Sequence, residues 1–98
     1  MSVDEAILAA RNVGLYTLVA LRDAIGSLDR VEQVVRTFGM VNAAPGFTEH
    51  PRVIDGFSNL FIDIFGERGR GARSAVGMSS LPFNIPVEVE ITIKILAE

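Results

Sequence analysis

Arg73 and two glutamates, Glu88 and Glu90, are the residues of this sequence whose types and spacing could support chemistry. An arginine guanidinium is a planar, permanently charged fork that suits a carboxylate or a phosphate. A glutamate held beside a bound ligand can orient a water molecule or move a proton. The same residues would also suit an ordinary strand pair, with Arg73 in a partly exposed ion pair and the glutamates on a solvated face. Spacing alone favours that plain interpretation, so the residue types indicate only a candidate anion site.

Strand alternation divides the residues around Arg73 between two faces of a predicted strand. Val76 and Met78 share one face, whereas Arg73, Ala75 and Gly77 share the other. If the two larger apolar residues pack against the helices, we expect Arg73 on the opposite face, together with the two glutamates. The small residues beside Arg73 would then leave room for a ligand. In a simple hairpin Arg73 would lie near the open end and Glu88 near the turn, roughly 20 Å apart, so these two could meet only across subunits or under another strand order.

Other candidate chemical features have simpler explanations. His50 is the single histidine and stands before Pro51 at a predicted helix start, without other strong ligands nearby, so we expect no metal site. The run from Arg68 to Gly71 contains arginines and glycines, but it lacks the lysine and the strand-to-helix setting of a phosphate-binding loop. The sequence has no cysteine, which excludes a disulfide, a thiolate nucleophile and a cysteine-ligated metal.

Length and composition predict a single domain over residues 1–98 with one modest core. Hydrophobic residues make up 49% of the chain, which is enough for it to fold. The formal net charge of -3 gives no general attraction to nucleic acid, so such binding would need a local basic patch. No segment is long enough to span a bilayer, and the acidic N-terminus does not resemble a secretory signal. We therefore expect a cytoplasmic protein without a membrane partner.

Two helices follow from capping signals and apolar periodicity. Ser2 and Glu5 form a capping-box pattern, which predicts that a first helix begins at about Val3. Gly26 can adopt the left-handed conformation that closes this helix. Pro51 suits the first turn of a second helix, which has an apolar face and ends at Gly66. Both helices therefore carry one face for burial against a sheet.

Three strands accompany these helices. Residues 34–42 are rich in β-branched and aromatic side chains, residues 73–79 form a second strand, and residues 87–95 alternate strictly between apolar and polar. The first two strands flank the second helix, which implies a parallel crossover. The sequence therefore predicts an α+β layer sandwich, in which two helices pack on one face of a mixed sheet.

Four segments at their mutual spacing resemble the YjgF/Rid family, whose members are called reactive intermediate deaminases and also L-PSP endoribonuclease-like proteins. The segments are residues 39–55, the strand Ala72-Arg-Ser-Ala-Val-Gly77, the turn Leu81-Pro82 and the strand Val87-Glu-Val-Glu90. The last three are the most specific, and the resemblance runs over nearly the whole chain. It implies a chorismate-mutase-like fold and homotrimers with ligand clefts between subunits.

The resemblance also implies an enzyme, a hydrolase that converts reactive enamine or imine intermediates of amino-acid metabolism into 2-keto acids and ammonia. It assigns the catalytic roles to Arg73, which would grip the substrate carboxylate, and to Glu88, which would position the attacking water. Arg73, Ala75 and Gly77 would form the substrate-binding strand. Some members have a cysteine where this chain has Ala75, which leaves no thiol role here. The implied partners are a small carboxylate substrate and further copies of the chain, with no metal or organic cofactor.

The front of the chain departs from the family pattern. Members usually begin with additional strands, whereas this chain opens at the first helix, so we expect an N-terminally truncated version of the domain. The family's strand order would place the last strand between a missing strand and residues 34–42, so the loss of that missing strand would leave the last strand as an open hydrophobic edge. Two other functions stay open, namely a catalytically silent carboxylate-binding or assembly module of the same fold, and an RNA-cleaving or RNA-binding protein.

Overall fold

Two α-helices and three β-strands make up the computed structural model, which describes residues 1–97. In chain order the elements are α1 (Val3–Ile25), β1 (Val31–Asn42), α2 (His50–Phe65), β2 (Ala72–Met78) and β3 (Val87–Ile95). Short 3₁₀ turns lie at Leu28–Arg30, Gly66–Gly69 and Pro82–Asn84. This order of elements is the one that the sequence predicts.

The helix α1 begins and ends where its sequence signals predict. The Ser2 amide donates a hydrogen bond to Glu5 Oε1 at 3.0 Å, and the Glu5 amide donates to Ser2 Oγ at 3.1 Å. The bond that the Ser2 backbone amide donates to the Glu5 carboxylate, followed by the Ser2 side chain, lowers the pKa of Glu5 because both favour the ionised carboxylate. At the other end Gly26 has a φ of 87°, and its amide donates to the Arg22 carbonyl at 2.8 Å.

The sheet has the strand order β2-β1-β3, so β1 separates the other two strands. β1 pairs in parallel with β2, where Thr37 faces Arg73, and antiparallel with β3, where Met40 faces Glu88. The second and third strands therefore do not form a hairpin. Within residues 1–97, β3 has a strand neighbour on one side only, as the strand order implied by the family resemblance predicts.

β1 begins at Val31, three residues before its predicted start. Its register with β3 shifts between Val31 and Gln33, and again between Val34 and Arg36. Each shift interrupts the alternation of apolar and polar residues by which a strand is recognised in a sequence. A search for period-two alternation therefore does not detect the first residues of this strand.

Both helices pack on one face of the sheet, which confirms the predicted layers. The largest fully buried side chains come from α2 and β1, and they are Phe57, Phe61, Ile54, Val31, Val34 and Val53. Phe57 and Phe61 stack with their ring centroids 4.6 Å apart. α1 and α2 approach each other closely at Gly56, where a Cβ atom would overlap the carbonyl oxygen of Ile7, so only glycine leaves enough room. Neither helix within residues 1–97 has the length and apolar composition that a bilayer crossing requires.

Candidate functional site

Arg73 lies on β2, and its side chain reaches across to α2. Its Nη1 atom donates to Asp55 Oδ1 at 2.7 Å and to Ser58 Oγ at 3.3 Å. Asp55 and Ser58 are three residues apart, so they present their oxygens from neighbouring positions on one side of α2. The Arg73 side chain is 28% exposed and that of Asp55 is 47% exposed, so solvent partly screens the ion pair. Nε and Nη2 of Arg73 donate to no group within the described residues 1–97.

A cavity of about 320 Å³ opens beside Arg73, between α2, the following 3₁₀ turn and the sheet. Its lining consists of Thr37, Asp55, Ser58, Asn59, Ile62, Gly69, Arg70, Gly71 and Arg73. Sites for small molecules commonly have volumes of about 300–1,000 Å³, so the cavity is at the small end of that range. Arg73 is thus anchored at a space of ligand size, with part of its guanidinium still available.

The structure places Arg73 on the helix-covered face of the sheet, so the expected arrangement on the opposite face is wrong. Arg73 bonds to α2, Ala75 packs against the core, and a Cβ atom on Gly77 would meet the first residue of α2. Alternation puts Val76 and Met78 on the other face, where Val76 is 36% exposed. Sequence alternation sorted these five residues correctly into two sets, but it could not say which set the helices cover.

Ala75 and Gly77 do not line the cavity beside Arg73. A Cβ atom on Gly77 would lie 2.5 Å from His50 Nε2 and 3.2 Å from the Ala43 Cβ atom. The His50 ring packs edge-on against Phe47, with 5.3 Å between the ring centroids. Within one chain, the small size of residue 77 thus has a packing explanation. Contact of Ala75 and Gly77 with substrate stays a prediction.

Glu88 and Glu90 lie on the sheet face that carries no helix. Val87 is buried in the core and Val89 packs against it, so alternation turns the intervening glutamates to the other side. Glu88 is half-buried and Glu90 is exposed. The chain therefore places its glutamate pair and its candidate anion-binding arginine on opposite faces.

The register of the sheet also separates Arg73 from Glu88 along the strands. Thr37 on β1 faces Arg73, while Met40, three residues further on, faces Glu88. Two strand-to-strand steps of about 4.8 Å and three residues of about 3.3 Å put the Cα atoms of Arg73 and Glu88 about 14 Å apart. With their side chains on opposite faces, the two cannot reach one small molecule within a single chain. A site that uses both needs the glutamate of another copy.

Sequence reasoning missed Asp55, Ser58 and Thr37. Asp55 and Ser58 precede Arg73 by 18 and 15 residues, and in the sequence they look like the polar side of an amphipathic helix. Thr37 looks like an ordinary β-branched strand residue. The signal that could have found them is the parallel crossover, because it lays α2 across β2 and brings its polar edge to the arginine.

Two helices over a three-stranded mixed sheet define a chorismate-mutase-like class of fold, here with an arginine held at a small cavity. The family described as "YjgF/chorismate_mutase-like, putative endoribonuclease" matches residues 1–95. The chain belongs to this family, which confirms the resemblance carried by its motifs.

Three relatives show how far this likeness extends. Protein TCP17 of Trypanosoma cruzi is 42% identical over 96 residues, which are 97% of this chain and 60% of that protein. The crystal structure of Atu1372 from Agrobacterium tumefaciens, a protein of unknown function, has a TM-score of 0.94 and 40% identity, with 97% of this chain and 61% of that one covered. A Shewanella oneidensis crystal structure with the same endoribonuclease description has a TM-score of 0.91 and 33% identity, covering 96% and 62%. The chain thus spans less than two thirds of the length of these relatives.

Proposed function

We propose that the protein is a deaminase that hydrolyses reactive imines, and the enamines that tautomerise to them, to 2-keto acids and ammonia. The observation that carries the proposal is the one-sided anchoring of Arg73. One guanidinium nitrogen bonds to Asp55 and Ser58, while the other two have no partner within residues 1–97. This arrangement supports capture of a carboxylate, the group that 2-imino acids have in common.

The unused edge of Arg73 favours a two-point contact with that carboxylate. Because Nη1 is occupied, Nε and Nη2 remain as a pair of parallel donors to which both carboxylate oxygens can bind. A lysine at this position would offer a point charge without the second parallel donor. A hydrogen bond to a charged group contributes about 1.5–3 kcal/mol. Loss of one such contact should therefore weaken capture about 10- to 100-fold.

Glu88 acts in this proposal from a neighbouring copy within a homotrimer, because one chain keeps it away from Arg73. Its carboxylate orients a water molecule and accepts a proton from it as the water oxygen bonds to the imine carbon. The electron pair of the C=N bond moves to nitrogen, which takes up a proton from solvent, and the product is a carbinolamine. The carbinolamine nitrogen then takes the proton held by Glu88, the hydroxyl loses its proton to solvent and becomes the carbonyl, and the C–N bond breaks to release ammonia. The atoms balance as a hydrolysis, with no oxidant or reductant consumed.

Ammonia release tests these roles directly. 2-Aminoacrylate or 2-iminobutanoate is generated in situ by a dehydratase, and ammonia is measured above the uncatalysed background. Arg73→Ala, Arg73→Lys and Glu88→Gln should each lower the rate, whereas Glu90→Gln, a matched change on the same strand face, should keep it. Arg73→Lys retains the positive charge beside Asp55, so its loss of rate would report the missing second donor. Equal rates of ammonia release for wild type and Arg73→Ala would contradict the role assigned to the arginine.

A carboxylate-binding or assembly module without turnover is the second candidate function. The separation of Arg73 from Glu88 favours it, because one chain holds the anion-binding half of a site without the water-directing half. Such a module would bind a small carboxylate through Arg73 and release no ammonia above background. Imine hydrolysis that requires both Arg73 and Glu88 would exclude it.

RNA cleavage is a third candidate, and it comes from the endoribonuclease description shared by the family and the Shewanella oneidensis relative. The formal net charge of -3 gives the chain little attraction to a phosphate backbone. A filter-binding titration with single-stranded RNA over a range of salt concentrations tests this candidate. RNA retention that weakens as the salt concentration rises would favour this candidate, and no RNA retention even at low salt would exclude it.

A further inference from the structure

The cavity beside Arg73 has a mainly polar wall. Thr37, Ser58 and Asn59 supply uncharged polar groups, while Ile62 is the single aliphatic hydrocarbon side chain in the lining. An aliphatic ligand would displace water from these groups without replacing its hydrogen bonds. A ligand with its own polar group could replace them, so the wall itself discriminates between ligands of equal size.

Thr37 is the most informative residue of this wall. It is 6% exposed and lies on β1, directly beside Arg73 in the register of the sheet. Its hydroxyl forms no hydrogen bond within residues 1–97, yet it is not sealed off, because Thr37 lines the cavity. A nearly buried hydroxyl without a protein partner is completed by water or by a ligand. The register places Thr37 and Arg73 on the same sheet face, with their backbones about 4.8 Å apart, so one small molecule can contact both.

The charges around the cavity favour a ligand with one negative charge. Arg70 and Arg73 line it together with one carboxylate, Asp55, so two cations and one anion leave one net positive charge. Glu67 does not line the cavity but pairs with Arg70 at 3.3 Å, and because both side chains are largely exposed, solvent screens both charges of this pair. Arg70 and Glu67 thus offset each other, which leaves the free edge of Arg73 for one ligand carboxylate.

We infer that the cavity selects a small monocarboxylate that carries a second polar group, a hydroxyl or an amide, and that this group bonds to the Thr37 hydroxyl while Arg73 holds the carboxylate. The inference rests on the proposed function, since it names the substrate class of the same site. Imines derived from polar amino acids would then be preferred to those derived from aliphatic ones. Thr37 sets this specificity and takes no part in the proposed hydrolysis.

A pair of non-reactive acids of equal chain length tests the inference. 3-Hydroxypropanoate and butanoate differ by a hydroxyl in place of a methyl group, and their affinities for the purified protein can be measured by NMR titration. Wild type should bind 3-hydroxypropanoate about 2- to 10-fold more tightly, the value of one hydrogen bond. Thr37→Val keeps the shape of the side chain and should abolish the preference without weakening butanoate, whereas Thr37→Ser keeps the hydroxyl and should retain it. Thermal melting of each variant checks that the fold is intact.

The remaining outcomes separate this inference from the proposal beneath it. Equal or tighter binding of butanoate by wild type, still lost in Arg73→Ala, would overturn the selectivity and leave the carboxylate clamp standing. A preference for 3-hydroxypropanoate that survives in Thr37→Val would overturn the assignment to this hydroxyl. Binding of both acids that is unchanged in Arg73→Ala would overturn the clamp and the inference together.

Discussion

Replacing Gly77 by alanine should destabilise the protein, because the added methyl group enters space that His50 occupies. The new Cβ atom would lie 2.5 Å from His50 Nε2, 3.1 Å from its Cδ2 and 3.2 Å from the Ala43 Cβ atom. The φ angle of Gly77 is not in the left-handed region, so backbone strain does not complicate the substitution. The sign of the change in stability then depends on whether the space beside Gly77 is filled or open.

Two opposing contributions set the magnitude. Forcing a methyl group into packed space costs about 1–3 kcal/mol, and the lower part of that range applies because the nearest atoms belong to the end of a half-buried histidine. Alanine also restricts the unfolded chain more than glycine does, which contributes about 0.4–1 kcal/mol of stability. We therefore expect a net loss of about 0.5–1.5 kcal/mol for Gly77→Ala. The melting temperature of a domain of this size falls by about 4–8 °C for each kcal/mol.

The assay compares wild type, Gly77→Ala, His50→Ala and the double variant by thermal and urea denaturation. Without the histidine ring the nearest remaining atom is the Ala43 Cβ atom at 3.2 Å. The glycine-to-alanine change should then become neutral or stabilising, and the cycle should show a coupling of about 1–2 kcal/mol. A rise in melting temperature for Gly77→Ala alone would refute the reasoning, since it would mean that the space beside Gly77 is open and available to a ligand.

Two further predictions concern the framework that holds the site. Gly56→Ala should lower the free energy of unfolding by about 3 kcal/mol or more, or prevent folding, because its methyl group would overlap the backbone carbonyl of Ile7 and push α1 away from α2. Urea denaturation measures this loss, and a change under about 0.5 kcal/mol would contradict the close approach of the two helices. The lowered pKa of Glu5 means that the interaction of its carboxylate with Ser2 stabilises the protein fully above the unfolded pKa and loses that effect as pH falls through the folded value. The advantage of wild type over Glu5→Gln in thermal melts should accordingly shrink on acidification, and a constant difference down to the acid limit would contradict this.

Local patterns were sufficient to predict the elements of this fold. The capping box of α1 and the alternation in β3 each depend on a few adjacent residues, so their signals survive in the sequence. The start of β1 left no such signal, because two register shifts break the alternation of apolar and polar residues there. The strand order entered through the family motifs, since the pattern of the chain alone permits a hairpin between β2 and β3.

The site was harder to predict because it depends on which side of the sheet the helices cover. Alternation groups Arg73 with Ala75 and Gly77, but small residues are equally compatible with space for a ligand and with close packing of a helix. Here Ala75 packs against the core, and the His50 ring lies in the space that a side chain at Gly77 would enter. The partners of Arg73 on α2 come from distant positions with no distinguishing sequence signal, so only the folded chain identifies them.

Mixing two inactive variants tests most directly whether Arg73 and Glu88 form one site between chains. Arg73→Ala retains the glutamate and Glu88→Gln retains the arginine, so a mixed oligomer can contain complete sites only if neighbouring chains contribute one residue each. In a randomly mixed cyclic trimer about one site in four would be complete, which predicts roughly a quarter of the wild-type rate of ammonia release. Native mass spectrometry confirms that subunits have exchanged. No ammonia above background from an exchanged mixture, alongside an active wild type, would contradict a site shared between chains.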